Sequence, residues 1–375
     1  MHIGVDASRA TVPRRTGTEG YSLNLIRALI ALGGEDHFTL YARDRPSPGL
    51  FPDSPWVTSR VIPFPRLWTH VRLSWEMARR PPDVLFVPAH SLPLYAPRTS
   101  VVTVHDLGYL HYPEAHPPFQ RLHLHWSTRT SARRAARVIA DSQATKSDLS
   151  KWYGIRPEKI SIIYPGRDEA LAQVRDPQAL AQVRQKYSLP EHYLLHVGTL
   201  QPRKNLLRLV EAFRALIGSN DLGRDYASSS LVLAGRRGWL AQPVLDRVKA
   251  LGLESRVRFL DYVAEEDLAA LYSGADAYVF PSLYEGFGFT PLEAMACGVP
   301  VVCSRTSSLP EVVGEAAVLI DPLDVSVLAR AIGAVLSRPE LRASLVERGF
   351  GQIEQFSWSR CAQGTLAVLR EAAVS

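Results

Sequence analysis

Thirteen apolar runs of strand length punctuate this 375-residue chain, and between them lie segments with helical spacing. Seven fall in the first half, at 2–7, 37–42, 57–62, 83–88, 100–106, 137–142 and 159–166. Six follow in the second half, at 192–198, 230–235, 256–261, 276–282, 300–304 and 316–321. Such alternation predicts α/β architecture with parallel sheets covered by helices on both faces, and the number of runs predicts two sheets. The expected division is a first domain over 1–170, a polar linker helix and loop over 171–190, a second domain over 191–355, and a terminal helix over 356–375 that crosses back onto the first domain. Open parallel sheets bind ligands beyond the carboxyl ends of their strands, so two facing sheets would enclose a cleft.

Composition narrows the class. The chain begins MHIGVDAS, which reads as a strand with no charged leader, and no apolar window reaches the length of a spanning helix. A cytoplasmic protein is expected, and a peripheral contact with the inner face of a membrane is left open. The three cysteines, Cys297, Cys303 and Cys361, have no metal-ligand spacing and are expected to be reduced. A net charge of +6 points to acidic partners without choosing among phosphate, membrane and nucleic acid. No interleaved basic and aromatic pattern of a nucleic-acid platform is present.

The stretch YEGFGFTPLEAMACGVPVV at 284–302 carries two glutamates. Thr290, Pro291 and Glu293 fit a capping box, which alone would explain Glu293. The GFG turn before it would also leave backbone N–H groups and a positive dipole end for a diphosphate. Glu285 has no capping duty; it is either a solvated loop residue or a ligand-facing one. In VGTLQPRKN at 197–205, Arg203 and Lys204 arrive just before a helix start, where the dipole repels them unless an anion lies between. They are otherwise surface charges.

In VTVHDLGYLHYPE a strand runs into His105 and Asp106. His105 could donate, act as a base or carry charge, its pKa raised by the adjacent carboxylate; the plainer alternative has Asp106 capping the next turn while His105 packs. Gly17 and Gly20 precede a helix after the first strand, where glycines either let backbone approach a ligand or simply form a flexible loop. They do not form a dinucleotide fingerprint. Arg121, His125, Arg129, Arg133 and Arg137 recur every four residues, a row that winds around a helix and fits a solvated face better than a membrane or acceptor-phosphate patch.

Together, EGFGFTPLEAMACGVPVV, VGTLQPRKN, VHDL and ADSQATKSDL resemble the retaining glycosyltransferases of family 4 over nearly the whole chain. The resemblance implies the GT-B fold, two facing Rossmann-like domains with an inter-domain cleft. It implies that Arg203 and Lys204 neutralise the donor diphosphate, that Glu293 binds the ribose, and that Glu285 lies near the transferred sugar. Phe287, Gly288, Phe289 and Thr290 match the turn around sugar and phosphate, Gly17 and Gly20 the first-domain glycine loop, and His105 and Asp106 the pair facing sugar and acceptor. Thr199 departs from the family, many of whose members have arginine there. The form GTLQPRKN is similar to a mannosyltransferase-like subgroup, which implies transfer of mannose from GDP-mannose to a glycan or lipid-linked saccharide. No cofactor is expected, and no metal is needed if the cations suffice, since no aspartate pair of the DxD type ends a strand. A non-catalytic nucleotide-sugar binder, or a GT-B phosphorylase or epimerase, would share these motifs.

Overall fold

A computed structural model describes residues 1–12, 17–218, 226, 228–238 and 240–374. All thirteen apolar runs form strands. The first sheet contains β1 (His2–Asp6), β2 (His37–Ala42), β3 (Val57–Val61), β4 (Val84–Val87), β5 (Ser100–Val104), β6 (Arg137–Ala140) and β7 (Ile160–Ile162). The second contains β8 (Tyr193–Val197), β9 (Ser230–Ala234), β10 (Val257–Leu260), β11 (Ala277–Phe280), β12 (Val301–Ser304) and β13 (Ala317–Ile320). The strand orders are β3-β2-β1-β4-β5-β6-β7 and β10-β9-β8-β11-β12-β13, and every pairing is parallel. Strands β4 (VLFV) and β5 (SVVTV) are buried along their whole length, as expected where helices cover both faces. Edge strand β3, VTSRV, has mostly partial or full exposure and carries Arg60 and two hydroxyls.

The chain divides into two compact units. The first comprises Met1–Pro113, Pro117–Gly166 and Phe356–Ser375, and the second Glu114–His116 and Arg167–Gln355. The division after Gly166 precedes the expected boundary at 170, and 171–190 belongs to the second unit instead of forming a separate linker. Its helix Pro177–Lys186 is capped by Asp176, whose carboxylate accepts from the Gln178 amide at 3.0 Å. The helix end is held by Asp267, which takes Lys186 Nζ at 2.6 Å and the Tyr187 hydroxyl at 2.7 Å. Those contacts explain why this polar stretch is not a free tether.

In the first unit, helix Trp358–Ala373 buries Cys361, Ala362, Leu366 and Leu369 in a core shared with Leu25, Ile26 and Leu29 of helix Gly17–Leu32. Gly166 allows the approach, because a Cβ there would lie 2.3 Å from the Trp358 amide nitrogen. In the second unit, LLRLVEAFRALI forms helix Leu206–Ile217, and its apolar positions at three- and four-residue spacing bury Leu206, Leu209, Val210, Phe213 and Leu216. The basic row is split by the structure: the helix runs Pro118–Arg134, and Arg137 opens β6.

Each strand order reverses its chain progression at one place, between β1 and β4 in the first sheet and between β8 and β11 in the second. In open parallel sheets, ligands bind beyond the carboxyl ends of the strands at such a reversal.

Candidate functional site

In the second unit the loops after β8 and β11 are laced together at the reversal point. The Leu283 amide donates to the Arg203 carbonyl at 2.8 Å. The Asn205 side-chain amide donates to the carbonyls of Pro281 at 3.1 Å and Pro322 at 2.6 Å. Arg203 and Lys204 occupy a short turn, Pro202–Lys204, and Asn205 in the left-handed region (φ 58°) turns the chain into helix Leu206–Ile217. Both cations converge on Glu285. Its carboxylate meets the Arg203 guanidinium at 2.6 Å and the Lys204 ammonium at 2.7 Å, and accepts from Ser282 Oγ at 2.5 Å.

Glu285 is 8% exposed, so it is not a solvated loop residue. Burial alone would raise its pKa, but Arg203 and Lys204 outweigh that and hold it at about 2. The carboxylate is therefore ionised throughout the physiological range. Its main chain is also fixed, with the Glu285 amide donating to Ser307 Oγ at 2.9 Å and its carbonyl accepting from Ser308 Oγ at 2.9 Å. Two cations and one carboxylate leave this cluster with a positive surplus.

Beneath Lys204 lies an aromatic floor. Its ammonium sits 4.5 Å from the centroid of the Phe280 ring, and His196 stacks on Phe280 with a centroid separation of 5.5 Å. His196 is fully buried, pushed to about 4 by that burial, and donates from Nδ1 to the Val279 carbonyl at 3.0 Å. Its Nε2 lone pair is buried without a hydrogen-bond partner, on the side where Gly198 and the Lys204 stem pass. Gly198 (φ 151°) and Gly235 (φ 142°) meet so closely that a Cβ on Gly235 would lie 2.1 Å from the Gly198 carbonyl oxygen. This is a backbone requirement, which side chains cannot relax.

The helix after the GFG turn starts two residues earlier than a capping box requires. It spans Phe289–Ala296, with Gly288 at the cap position (φ 125°) and no side chain capping its first amides. Thr290 is therefore inside the helix, and Glu293 does not reach back to a cap. The reason is steric: a Cβ at Gly288 would lie 2.8 Å from Leu309, so the turn is made at the glycine. Glu293 instead accepts from the Tyr272 hydroxyl at 2.8 Å. The Glu293 residue keeps some surface, yet its carboxyl is enclosed; burial first, and the negative charge of Asp168 in addition, push it to about 7. Phe287 is buried, its ring edge against Phe289 at 5.1 Å, and its carbonyl is held by Ser308 Oγ at 2.5 Å. Depressions of 390 and 650 Å³ in this unit lie elsewhere, the larger beside Asp276 and Pro300 at the amino ends of β11 and β12. Neither gathers the charges found at the carboxyl ends.

In the first unit His105 follows β5 and is 8% exposed. Its Nδ1 lies 2.6 Å from Asp141 and its Nε2 donates to the Pro88 carbonyl 3.1 Å away. Two acceptors against two ring nitrogens favour the doubly protonated imidazolium. Burial opposes that charge, but Asp141 overcomes it and raises the pKa of His105. The partner is thus Asp141 at the end of β6, with neighbouring Asp106 a smaller influence. Asp106 Oδ1 accepts from the Gly108 amide at 2.8 Å, the turn-capping role. With both ring nitrogens engaged, His105 is placed to carry charge more readily than to act as a base. His90 stands beside it, 5.3 Å between ring centroids, and is pushed down to about 4 by burial and by His105. Gly17 opens helix Gly17–Leu32 and Gly20 lies within it, so neither forms a loop; a Cβ on either would meet nothing within 4 Å.

Sequence reasoning missed Asp141, His196, Tyr272, Ser282 and Ser307. Only Asp141 left a local signal, a carboxylate ending a strand in RVIADS.

A family model described as Glycosyl transferases group 1 matches residues 181–352, and one described as Glycosyltransferase Family 4 matches 15–171. The chain is 35% identical over 268 residues to the O-antigen chain mannosyltransferase B of Escherichia coli, covering 71% of this chain and 69% of that protein. It is 32% identical over 241 residues to the D-inositol 3-phosphate glycosyltransferase of Corynebacterium efficiens, covering 63% of this chain and 56% of that one. The chain thus spans little more than half the length of the second relative. Among solved structures, sucrose-phosphate synthase from Thermosynechococcus elongatus is similar with a TM-score of 0.76 at 23% identity, covering 100% of both chains. With two parallel α/β units of the GT-B fold and both family models matched in order, the chain belongs to the family 4 glycosyltransferases.

Proposed function

We propose that this glycosyltransferase moves mannose from GDP-mannose onto a glycan or lipid-linked saccharide, with retention at the anomeric carbon and without a metal. The observation that carries the reading is the positive surplus of Arg203 and Lys204 over Glu285 at the carboxyl ends of β8 and β11. When a nucleoside diphosphate leaves the anomeric carbon, negative charge gathers on the β-phosphate. Fixed cations and the uncapped amides before Thr290 would stabilise that charge as it develops.

Glu285, ionised at neutral pH, cannot protonate a leaving group. It can accept a hydrogen bond from a ring hydroxyl and favour positive character in the sugar. Glu293 takes the ribose, whose diol would donate to the carboxylate beside the Tyr272 hydroxyl, and the leaving phosphate takes the acceptor proton during same-face attack. In the first unit the His105 imidazolium would offer positive charge toward the sugar and acceptor, with Asp106 beside it.

The likeness to a named mannosyltransferase favours mannose, while the relative named for D-inositol 3-phosphate keeps an acceptor other than a saccharide in play. A thermal-shift panel of GDP-mannose, UDP-glucose and UDP-N-acetylglucosamine separates the donors. A donor at a hundred times its Kd adds about 2.7 kcal/mol to the folded state, a rise of some degrees in Tm. GDP-mannose is expected to give the largest rise. No shift at millimolar GDP-mannose would rule out the mannosyl reading. Incubating the donor alone, and then with inorganic phosphate, tests the epimerase and phosphorylase alternatives.

A further inference from the structure

The Tyr272 hydroxyl makes the one hydrogen bond that the Glu293 carboxylate receives from the described residues. Tyr272 lies in the last turn of helix Glu265–Ser273 and is fully buried. The next residue sets its place: Ser273 Oγ donates to the Cys297 carbonyl at 3.2 Å and accepts from the Val174 amide at 2.9 Å. Cys297 closes the helix that carries Glu293, and its amide donates to the Glu293 carbonyl at 3.1 Å. The ends of the two helices are thereby pinned together, which brings the Tyr272 hydroxyl to Glu293 Oε2 at 2.8 Å. Burial keeps the phenol protonated, so it donates.

A buried tyrosine hydroxyl needs a partner, and a backbone carbonyl would serve. Tyr193 takes that solution nearby, donating to the Leu271 carbonyl at 2.7 Å. The partner of Tyr272 is instead a carboxylate with acceptor capacity left over. An ionised carboxylate can accept about four hydrogen bonds, yet Glu293 Oε1 takes none from any described residue, although Glu293 keeps some surface. Burial and Asp168 disfavour its charge, whereas the Tyr272 hydroxyl and the more distant Lys204 favour it. Tyr278 and Cys297, which also face it, are held neutral by burial. Packing alone would be served as well by an uncharged side chain; an enclosed, half-satisfied carboxylate suits a ligand that brings donors, and a vicinal diol brings two.

We propose that Tyr272 is a positioning residue for the donor ribose, its hydroxyl fixing Oε2 of Glu293 and steadying the negative charge so that Oε1 is left for the diol. This rests on the ribose role given to Glu293 above. Glu293 is pushed to about 7 even with the Tyr272 bond lowering it, so losing that bond leaves the carboxyl largely protonated at neutral pH. The grip on the ribose should strengthen as pH rises through 7 in the wild type, and only at higher pH once the hydroxyl is gone.

The test is calorimetric titration of the full chain with GDP and with 2′,3′-dideoxy-GDP from pH 6 to pH 9. The two ligands share base and diphosphate, so the ratio of their affinities reads the ribose hydroxyls alone. In the wild type GDP is expected to bind about tenfold tighter at pH 8, with the ratio shrinking toward pH 6. In Tyr272→Phe the ratio at pH 7 should fall to about twofold, the dideoxy affinity should stay unchanged, and part of the ratio should return at pH 9, which a mere loss of packing would not give. If UDP-glucose gives the larger thermal shift, UDP and 2′,3′-dideoxy-UDP make the same comparison. A wild-type ratio that is large but flat with pH, or a Tyr272→Phe ratio equal to that of the wild type, would overturn the role of Tyr272 and leave Glu293 on the ribose. The wild-type pH dependence decides alone should the variant fail to fold. A wild-type ratio near one at every pH would remove Glu293 from the ribose and overturn both.

Discussion

Lys204→Ala is expected to lower turnover by about 10²–10³-fold, the usual cost of removing one contact to charge that develops in a transition state, about 2.7–4 kcal/mol. Two effects act together. Lys204 would no longer meet the diphosphate, and Glu285 would be left with Arg203 and Ser282 as its charge-stabilising partners among the described residues, in a site where it is 8% exposed. Removing one member of a buried ion pair costs about 3–5 kcal/mol, so the melting temperature should fall as well. Initial rates at saturating donor, measured well below that melting temperature, separate the two. Glu285 would also titrate higher than its present value of about 2, because a charge that lowers it is gone. Unchanged turnover in a folded Lys204→Ala protein would remove Lys204 from the donor site.

Asp141→Asn carries the second large effect. In the wild type, His105 holds its proton more tightly than an ordinary imidazole because of Asp141. A histidine whose folded pKa is raised contributes stability that is complete below its unfolded value near 6.5 and is lost as pH rises through the folded value. Wild-type melting temperature should therefore decline over that window. With asparagine at 141 the burial of His105 remains but its counter-charge is gone, so its pKa should fall below 6.5 and the decline should disappear. At pH 6 the variant should lose about 3–5 kcal/mol, the cost of leaving one buried charge unpaired. Thermal unfolding from pH 5.5 to 8.5 checks this, and parallel curves for wild type and variant would contradict it. Transfer should fall too, because Asp141 fixes the ring that the family pattern turns toward the sugar.

Much of the fold was legible because a parallel strand buried on both faces must be apolar throughout. Runs such as VLFV and SVVTV therefore stand out from helices without any knowledge of pairing. The order of strands was not legible, since nothing local in β8 says that its neighbours are β9 and β11. Without that order, the joining of Lys204 to Glu285, 81 residues away, and of Arg203 with it, cannot be read from the sequence. The same holds for His105 and Asp141, and for Tyr272 and Glu293. In each case the partner is brought by topology.

Local patterns misled in two instructive places. TPLE fits a capping box, but Gly288 adopts a φ that other residues resist and starts the helix before Thr290 can cap it. The four-residue spacing of basic residues predicted a winding row; the helix ends at Arg134, and its exposed stripe is drawn by Phe119, Leu122 and Trp126, whose positions no charge pattern reveals. The motif residues themselves lie where ligands of open sheets bind, at the carboxyl ends of β8, β11 and β5.

The proposed division of labour in the second unit, cations for the diphosphate and Glu285 for the sugar, is tested most directly by Glu285→Gln. The change keeps the shape of the side chain and removes the negative charge that offsets Arg203 and Lys204. Calorimetric titration with GDP, alongside initial rates with GDP-mannose and acceptor, reads both roles in one protein. GDP affinity is expected to be equal to or tighter than that of the wild type, while turnover falls by about 10²-fold or more. GDP affinity that weakens in step with turnover, or turnover that persists, would contradict it.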